Sequence, residues 1–468
     1  MSEFQLLIDG QLVPGAQTLP VINPASAEVF AHAPRASVAQ LENAVAAAKA
    51  AFPGWAATPM AERGQRLNQI ADVLQAHAEE LAGLLSTEQG KPFGDAMGEV
   101  YGSIYFTRYF ASLGLPARVV EDSSSRRAEV HRRPLGVVAA IAPWNYPLVL
   151  LFLKLPAALA AGNTLIVKPA PTTPLTTLRL AALIKDVLPQ GVLNVITDAN
   201  DLGEHLTSHP DIRKISFTGS TVTGRKVMAS AAQTLKRVTL EMGGNDAAIV
   251  LDDADPKAIA QALFDSAFQN SGQLCYAIKR LYVHESLYDA LADELAMIAR
   301  STIVGEGTAP DSKLGPLQNK AQFEKVQGYL EDARRDGKII AGGEVIDRPG
   351  YFVQPTIVRD IQEGSRLVDE EQFGPILPVI KFSDVDDAIR RANDSVYGLG
   401  ASIWSSDPQR ALALAPRMEA GVVWINKHMD VAPHIPFCGC KQSGYGVECA
   451  EEGLLEFTQL QIINGPSV

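Results

Sequence analysis

The sequence predicts an α/β protein of two tandem units with a small exposed β element, and three observations lead there. From residue 134 onward short β-branched runs alternate with loops and helical segments: GVVAAIAP, NTLIVKPAP, VLNVITD, KISFTGS and AAIVLDD. That alternation is the mark of parallel strands joined by crossover helices. A second series follows Cys275, with RLYVH, PILPVIKF, GASIWSS and GVVWIN separated by segments such as VDDAIRRANDS. Finally, 468 residues exceed what one ordinary core organises, and the join between the units falls near 243–246.

In chain order, the opening MSEFQLLIDG carries acidic and polar residues where a secretory leader has a basic segment and a long apolar one, so export is not expected. LENAVAAAKAAF, after Ser37, and residues 60–86 have helical periodicity, and the first hundred residues are predicted mainly helical. SSSRRAEVHRRP is polar and alternating and predicts an exposed β-hairpin, with Arg126, Arg127, Arg132 and Arg133 as solvated charge. The most apolar stretch, YPLVLLFLKLPAALAAG at 146–162, is interrupted by Pro147, Lys154 and Pro156 and predicts a buried helix, not a membrane span. The terminal LLEFTQLQII predicts a strand with no partner in its own sheet; with the hairpin it forms an edge suited to pairing with another subunit.

The formal net charge of -12 argues against a nucleic-acid partner, which needs a dense cationic face. Cys275 is remote from Cys438, Cys440 and Cys449, giving neither a disulfide framework nor a metal-ligand spacing, and a reducing cytoplasm is the expected setting.

In an open parallel sheet ligands bind beyond the carboxyl ends of the strands, and four such ends carry unusual residues. PWNYP follows the first run, with prolines forcing an extended turn around Asn145. Lys168 ends NTLIVKP, where an anionic or hydroxylic ligand suits it. In TGSTVTG, Gly219 and Ser220 open a helix that can offer N–H groups to a phosphate, although GxGxxG is absent, and the alternative is a plain strand-to-helix turn. RVTLEMGGND ends a strand on Glu241 with two glycines behind it, which allow close backbone approach. Cys275 closes FQNSGQLC, at a turn before the next strand. A thiol, a carboxylate, an amide and a lysine at strand ends of one core predict an active site.

The ordered series PWNYP, LIVKPA, FTGS, LEMGGND, FQNSGQLC, EEQFGP and PFCGCKQSGYG resembles that of the aldehyde dehydrogenase superfamily over essentially the whole chain. The resemblance implies a Rossmann-like NAD(P)-binding domain at 1–111 and 135–242, a catalytic domain at 243–441, and an oligomerisation hairpin and tail at 112–134 and 454–468. It implies Cys275 as nucleophile, Glu241 as general base and Asn145 as one oxyanion donor, with Lys168 on the adenosine ribose, Glu371 on the nicotinamide ribose and Phe373 beside the nicotinamide. Ile141, Trp144, Pro171, Gly203, Gly219, Ser220 and Met242 would complete the dinucleotide site, and Tyr146, Leu150, Leu153 and Phe437 would line the substrate tunnel. The implied protein is a homodimer or homotetramer acting on a small-molecule aldehyde.

Two departures from the family pattern stand out. Many NAD-preferring members carry a glutamate three residues after the lysine; here Pro171 stands there, which leaves NAD or NADP open with NAD slightly favoured. PFCGC replaces the usual PFGG, so Cys438 stands for a glycine; it reads as a small packed residue at a buried turn, with a redox role together with Cys440 as the alternative. An apolar tunnel, with Leu153 where semialdehyde oxidisers often carry arginine, favours aromatic or medium-chain aliphatic aldehydes; a semialdehyde dehydrogenase or a non-catalytic binding protein is the alternative. Glu241 argues against a coenzyme-A-acylating enzyme. No histidine lies in the motifs to serve a cysteine hydrolase, and His428 and His434 read as solvated or substrate-facing.

Overall fold

The computed structural model describes residues 4–466, so the first three residues of the opening segment and the last two of the predicted tail lie outside it. The amino end departs from the helical expectation. Residues Leu6–Ile8 and Gln11–Val13 form a hairpin around Asp9 (φ 53°) and Gly10 (φ 72°), the two left-handed positions that an Asp-Gly turn supplies, and Gln17–Asn23 pairs with Glu28–Arg35. Helices follow at Val38–Ala57, Met60–Ala76, Ala78–Gln89 and Phe93–Ser112. The first begins with a capping box: Gln40 N donates to Ser37 Oγ (3.2 Å) and Ser37 N to Gln40 Oε1 (3.1 Å).

Five of the predicted runs make the parallel centre of an eight-stranded sheet, in the spatial order Leu193–Val195, Thr164–Lys168, Val137–Ile141, Ile212–Thr218 and Arg237–Glu241. These strands are buried almost throughout, as expected of a sheet covered on both faces. The order reverses at Val137–Ile141, so the crevice beyond Ile141 and Thr218 is the switch point at which such sheets bind ligands. A seven-stranded sheet follows, with Ile278–His284 and Asp246–Val250 side by side near its centre. Gly444–Tyr445 then returns to pair with the end of Arg237–Glu241, so late residues close over the first sheet.

Residues 146–162 are buried as predicted but form two short helices, Val149–Phe152 and Leu155–Ala160, with Pro156 in the first turn of the second. The terminal strand is also shorter than predicted. Residues 454–455 end the helix Ala450–Leu455, and the strand Thr458–Gly465 pairs along its full length with Arg127–Pro134, whose other edge holds Arg118–Asp122. The tail therefore has a partner within its own chain. Among the described residues no helix is long and apolar enough to cross a membrane.

Candidate active site

Cys275 lies on a turn three residues before the strand Ile278–His284, and the segment leading to it is held tightly. Asn270 (φ 52°) and Ser271 (φ 56°) are left-handed, and Gly272 (φ 72°) sits where a Cβ would run into the Gly374 carbonyl. Asn145 Nδ2 donates to Gln273 O (2.9 Å), which ties the PWNYP turn to the cysteine loop. The Asn145 carbonyl accepts from Lys91 Nζ (3.0 Å), and Lys91 is paired with Glu99 (2.5 Å) in full burial. Glu99 also accepts from Leu148 N and Val149 N, and Lys91 lies over the Tyr146 ring, 3.4 Å from its centroid. The asparagine is thus fixed from two sides.

Lys279 directs its ammonium into the same loop, donating to Cys275 O (2.6 Å) and Leu274 O (2.8 Å). Burial pushes the Cys275 thiol up to about 12; Lys279 opposes that rise, and the carboxylates of Glu371, Asp246 and Glu241 add to it. His428, read from sequence as solvated or substrate-facing, is instead buried. Its Nε2 donates to Tyr276 O (2.9 Å) and stands 3.6 Å from Asp246 Oδ2, while Nδ1 meets Ser402 Oγ (2.9 Å). It braces the loop one residue beyond the thiol.

Glu241 ends its strand 5% exposed, and neither carboxyl oxygen has a hydrogen-bond partner. Burial raises its pKa well above the usual carboxylate value, the Glu448 charge adds to the rise, and Lys154 opposes it. Lys154 pairs with Glu448, both buried. Glu448 is joined to Phe437 by reciprocal backbone bonds of 2.8 Å, and Phe437 meets Tyr276 edge-on at 5.5 Å. Tyr146, Leu150, Leu153 and Phe437 belong to one apolar cluster against which Cys275 and Tyr276 pack, and the Tyr146 hydroxyl is buried without a partner. Cys438 is half-buried, with the Glu241 charge acting on its thiol, whereas Cys440 is exposed, which corrects its reading as a buried turn residue.

Along the switch-point crevice, Gly219 N donates to Glu241 O (3.0 Å), and Ser220 caps the helix Thr221–Ala232 through Thr223 N (3.3 Å). Met242 is packed against Gly224 of that helix, Ile141 ends the central strand, and Gly203 opens the helix Gly203–Ser208. Trp144 and Phe373 meet edge-on at 5.4 Å. Glu371 accepts from Gly244 N (3.1 Å), and a Cβ on Gly243 would fall on its carboxylate. Pro171 is half-buried just past Lys168, whose ammonium lies 2.7 Å from Asp198 Oδ1. Glycine cradles, a helix amino end and carboxylates placed for hydroxyl groups fit a dinucleotide. The residues that sequence reading misses are Lys91, Glu99, Lys154, Asp198 and Glu448; Lys279, a candidate cation for the pocket from sequence, is instead committed to the carbonyls of the cysteine loop. Lys154 interrupting an apolar run was the one signal available.

Comparison with known proteins agrees with this geometry. Residues 12–463 match the aldehyde dehydrogenase family. A probable aldehyde dehydrogenase of a Pseudomonas species is 44% identical, covering 98% of this chain and 93% of its own. Phenylacetaldehyde dehydrogenase of Pseudomonas fluorescens is 41% identical (97% and 94%), and mitochondrial succinate-semialdehyde dehydrogenase of Arabidopsis thaliana 39% (96% and 86%). An NAD+ complex of an aldehyde dehydrogenase from Bacillus cereus superposes with a TM-score of 0.97 at 35% identity (99% and 96%), and an NADP-dependent enzyme of E. coli does so equally (99% and 98%). The fold and the crevice define an oxidoreductase that uses a nicotinamide dinucleotide. The chain belongs to the aldehyde dehydrogenase family and is an NAD(P)-dependent enzyme that oxidises aldehydes.

Proposed function

We propose that Cys275 is the nucleophile of this oxidation, Asn145 an oxyanion donor and Glu241 the base. The observation that carries this reading is Glu241: a buried carboxyl with both oxygens unpartnered, close enough for its charge to act on the Cys275 thiol. A buried polar group without a partner is costly, and a reacting proton is a reason to keep one. Cys275 loses its proton to solvent water and its sulfur bonds to the aldehyde carbon, the carbonyl π pair moving onto oxygen. The Asn145 side-chain amide and the Cys275 N–H then stabilise the oxyanion. A nicotinamide dinucleotide held along the crevice by Lys168, Gly219, Ser220, Glu371 and Phe373 would supply the hydride acceptor, and loss of the hydride leaves a thioester on Cys275. Glu241 takes a proton from water, the water oxygen bonds to the thioester carbon, and the carbon–sulfur bond breaks to release the acid, the departing thiolate taking the proton back from Glu241.

The tunnel side favours aromatic or medium-chain aliphatic aldehydes. Each methylene buried against Leu150, Leu153 and Phe437 contributes about 0.8 kcal/mol, whereas an unpaired buried carboxylate costs several. The nearby buried ammonium groups are already committed: Lys91 to Glu99, Lys154 to Glu448, and Lys279 to backbone carbonyls. Residues 1–111 with 135–242 serve in this reading as the dinucleotide domain and 243–441 as the catalytic domain. The test is a panel of aldehydes with NAD+ and NADP+, read as kcat/KM. Phenylacetaldehyde and hexanal should exceed succinate semialdehyde; a clear preference for the semialdehyde would replace this substrate class.

A further inference from the structure

Lys168 and Asp198 face each other at the carboxyl ends of neighbouring strands. Register pairs Val167 with Val195, so the second strand of the nucleotide half ends on a cation and the loop after the third supplies an anion beside it. Asp198 is fully buried and Lys168 nearly so. Asp198 Oδ2 accepts from Leu202 N (3.0 Å), which fixes the side chain at the start of the helix Gly203–Ser208. Oδ1 lies 2.7 Å from the Lys168 ammonium, yet at an angle that makes no directed hydrogen bond.

In sheets of this strand order, an acidic group near the end of the second strand accepts hydrogen bonds from the adenosine ribose hydroxyls, and a cation in that place accommodates a 2′-phosphate. Here the strand itself ends in Lys168, and Pro171 offers no carboxylate. We propose that Asp198, buried against Lys168, makes the enzyme select NAD+ over NADP+ by claiming the Lys168 charge that a 2′-phosphate would need. The surrounding charge points the same way. Arg35 is already paired with Asp201 (2.6 Å), and Glu204 adds a further acid at the same helix start. A dianionic phosphate brought here meets the carboxylates of Asp198 and Glu204. The selectivity comes from repulsion of the 2′-phosphate by like charge and from the commitment of Lys168 to Asp198.

The inference rests on the dinucleotide reading of this crevice, and the test separates the two. Binding of NADH and NADPH is measured by nucleotide fluorescence, and of ADP-ribose and its 2′-phosphate by calorimetry, without turnover. The wild-type protein should bind the unphosphorylated member of each pair roughly tenfold or more tightly. Asp198→Asn should bring each pair to within about threefold, chiefly by tighter binding of the phosphorylated member to the released Lys168. Lys168→Met keeps Asp198 and should widen the ratio while weakening both members, so the proposal stays testable if Asp198→Asn does not fold. Equal wild-type binding of the two members, an unchanged ratio in Asp198→Asn, or a narrowed one in Lys168→Met overturns the role of Asp198 and leaves the dinucleotide site standing. Failure of all four nucleotides to bind overturns both.

Discussion

Lys154 and Glu448, 294 positions apart, form a buried ion pair whose charges act on Glu241 in opposite directions. Glu448 raises the Glu241 pKa and Lys154 lowers it. A base works only when deprotonated, so turnover limited by Glu241 falls as pH drops through that raised value. Glu448→Gln removes the like charge, and the acidic limb of the kcat profile should move to lower pH. Lys154→Met removes the stabilising cation, and the limb should move to higher pH. Lys154→Met also strands a buried carboxylate and should cost about 3–5 kcal/mol of stability, read by denaturant unfolding. Shifts of the same sign in both variants would show that the pair acts on something other than Glu241.

Asn145 is held through both its ends, by Gln273 O on the amide and by Lys91 on the carbonyl. Asn145→Ala should lower kcat by a factor on the order of a hundred or more with little change in KM, since the donor acts on charge that develops in the reaction. Lys91→Met keeps the amide but loosens its support and exposes Glu99 unpaired in the core. It should lower kcat less than Asn145→Ala does, and it should also lower the unfolding midpoint, which Asn145→Ala changes far less. Steady-state kinetics together with thermal melts decide this.

The three-stranded sheet formed by Arg118–Asp122, Arg127–Pro134 and Thr458–Gly465 leaves Val119, Val120, Leu460, Ile462 and Ile463 exposed. Both of its outer strands have a free edge, and exposed apolar strands of this kind invite pairing. The protein is expected to be at least a dimer in solution. Ile462→Lys together with Leu460→Lys should shift it toward monomer in light scattering. A wild-type chain that is monomeric at micromolar concentration would end this expectation.

The strand ends were legible because the signal is local: an apolar run that stops on a lysine, a glutamate or a glycine pair is visible within ten residues. For the same reason LEMGGND, FQNSGQLC and PWNYP single out Glu241, Cys275 and Asn145 as candidates. The amino-terminal hairpin was not legible, because LLI and QLV are three residues each and too short to show alternation, although the Asp-Gly between them is a turn signal. The groups that tune the site were hidden for a different reason. Glu448 meets Lys154, and Asn145 meets Gln273, only through tertiary pairing, and no periodicity links residues so far apart. His428 shows the complementary error: a polar residue in a late loop reads as solvated until the loop is seen to fold back against Tyr276 and Asp246.

The division of labour between Cys275 and Glu241 can be separated in time. Cys275→Ala should abolish hydride transfer together with labelling by a thiol-directed reagent, because the covalent bond cannot form. Glu241→Gln preserves the shape and leaves the thiol. If Glu241 acts on the water alone, one hydride still transfers and the thioester then persists. The expected trace is a burst of about one reduced nicotinamide per site followed by slow turnover, with acylated Cys275 peptide seen by mass spectrometry. The raised Cys275 pKa makes the opposite outcome informative, since a thiol held near 12 needs a base to ionise at neutral pH. Loss of the burst along with the steady state would place Glu241 before hydride transfer, as the group that takes the thiol proton. Unchanged turnover would remove Glu241 from the mechanism and return the thioester to a different acceptor, with coenzyme A the first to be tried.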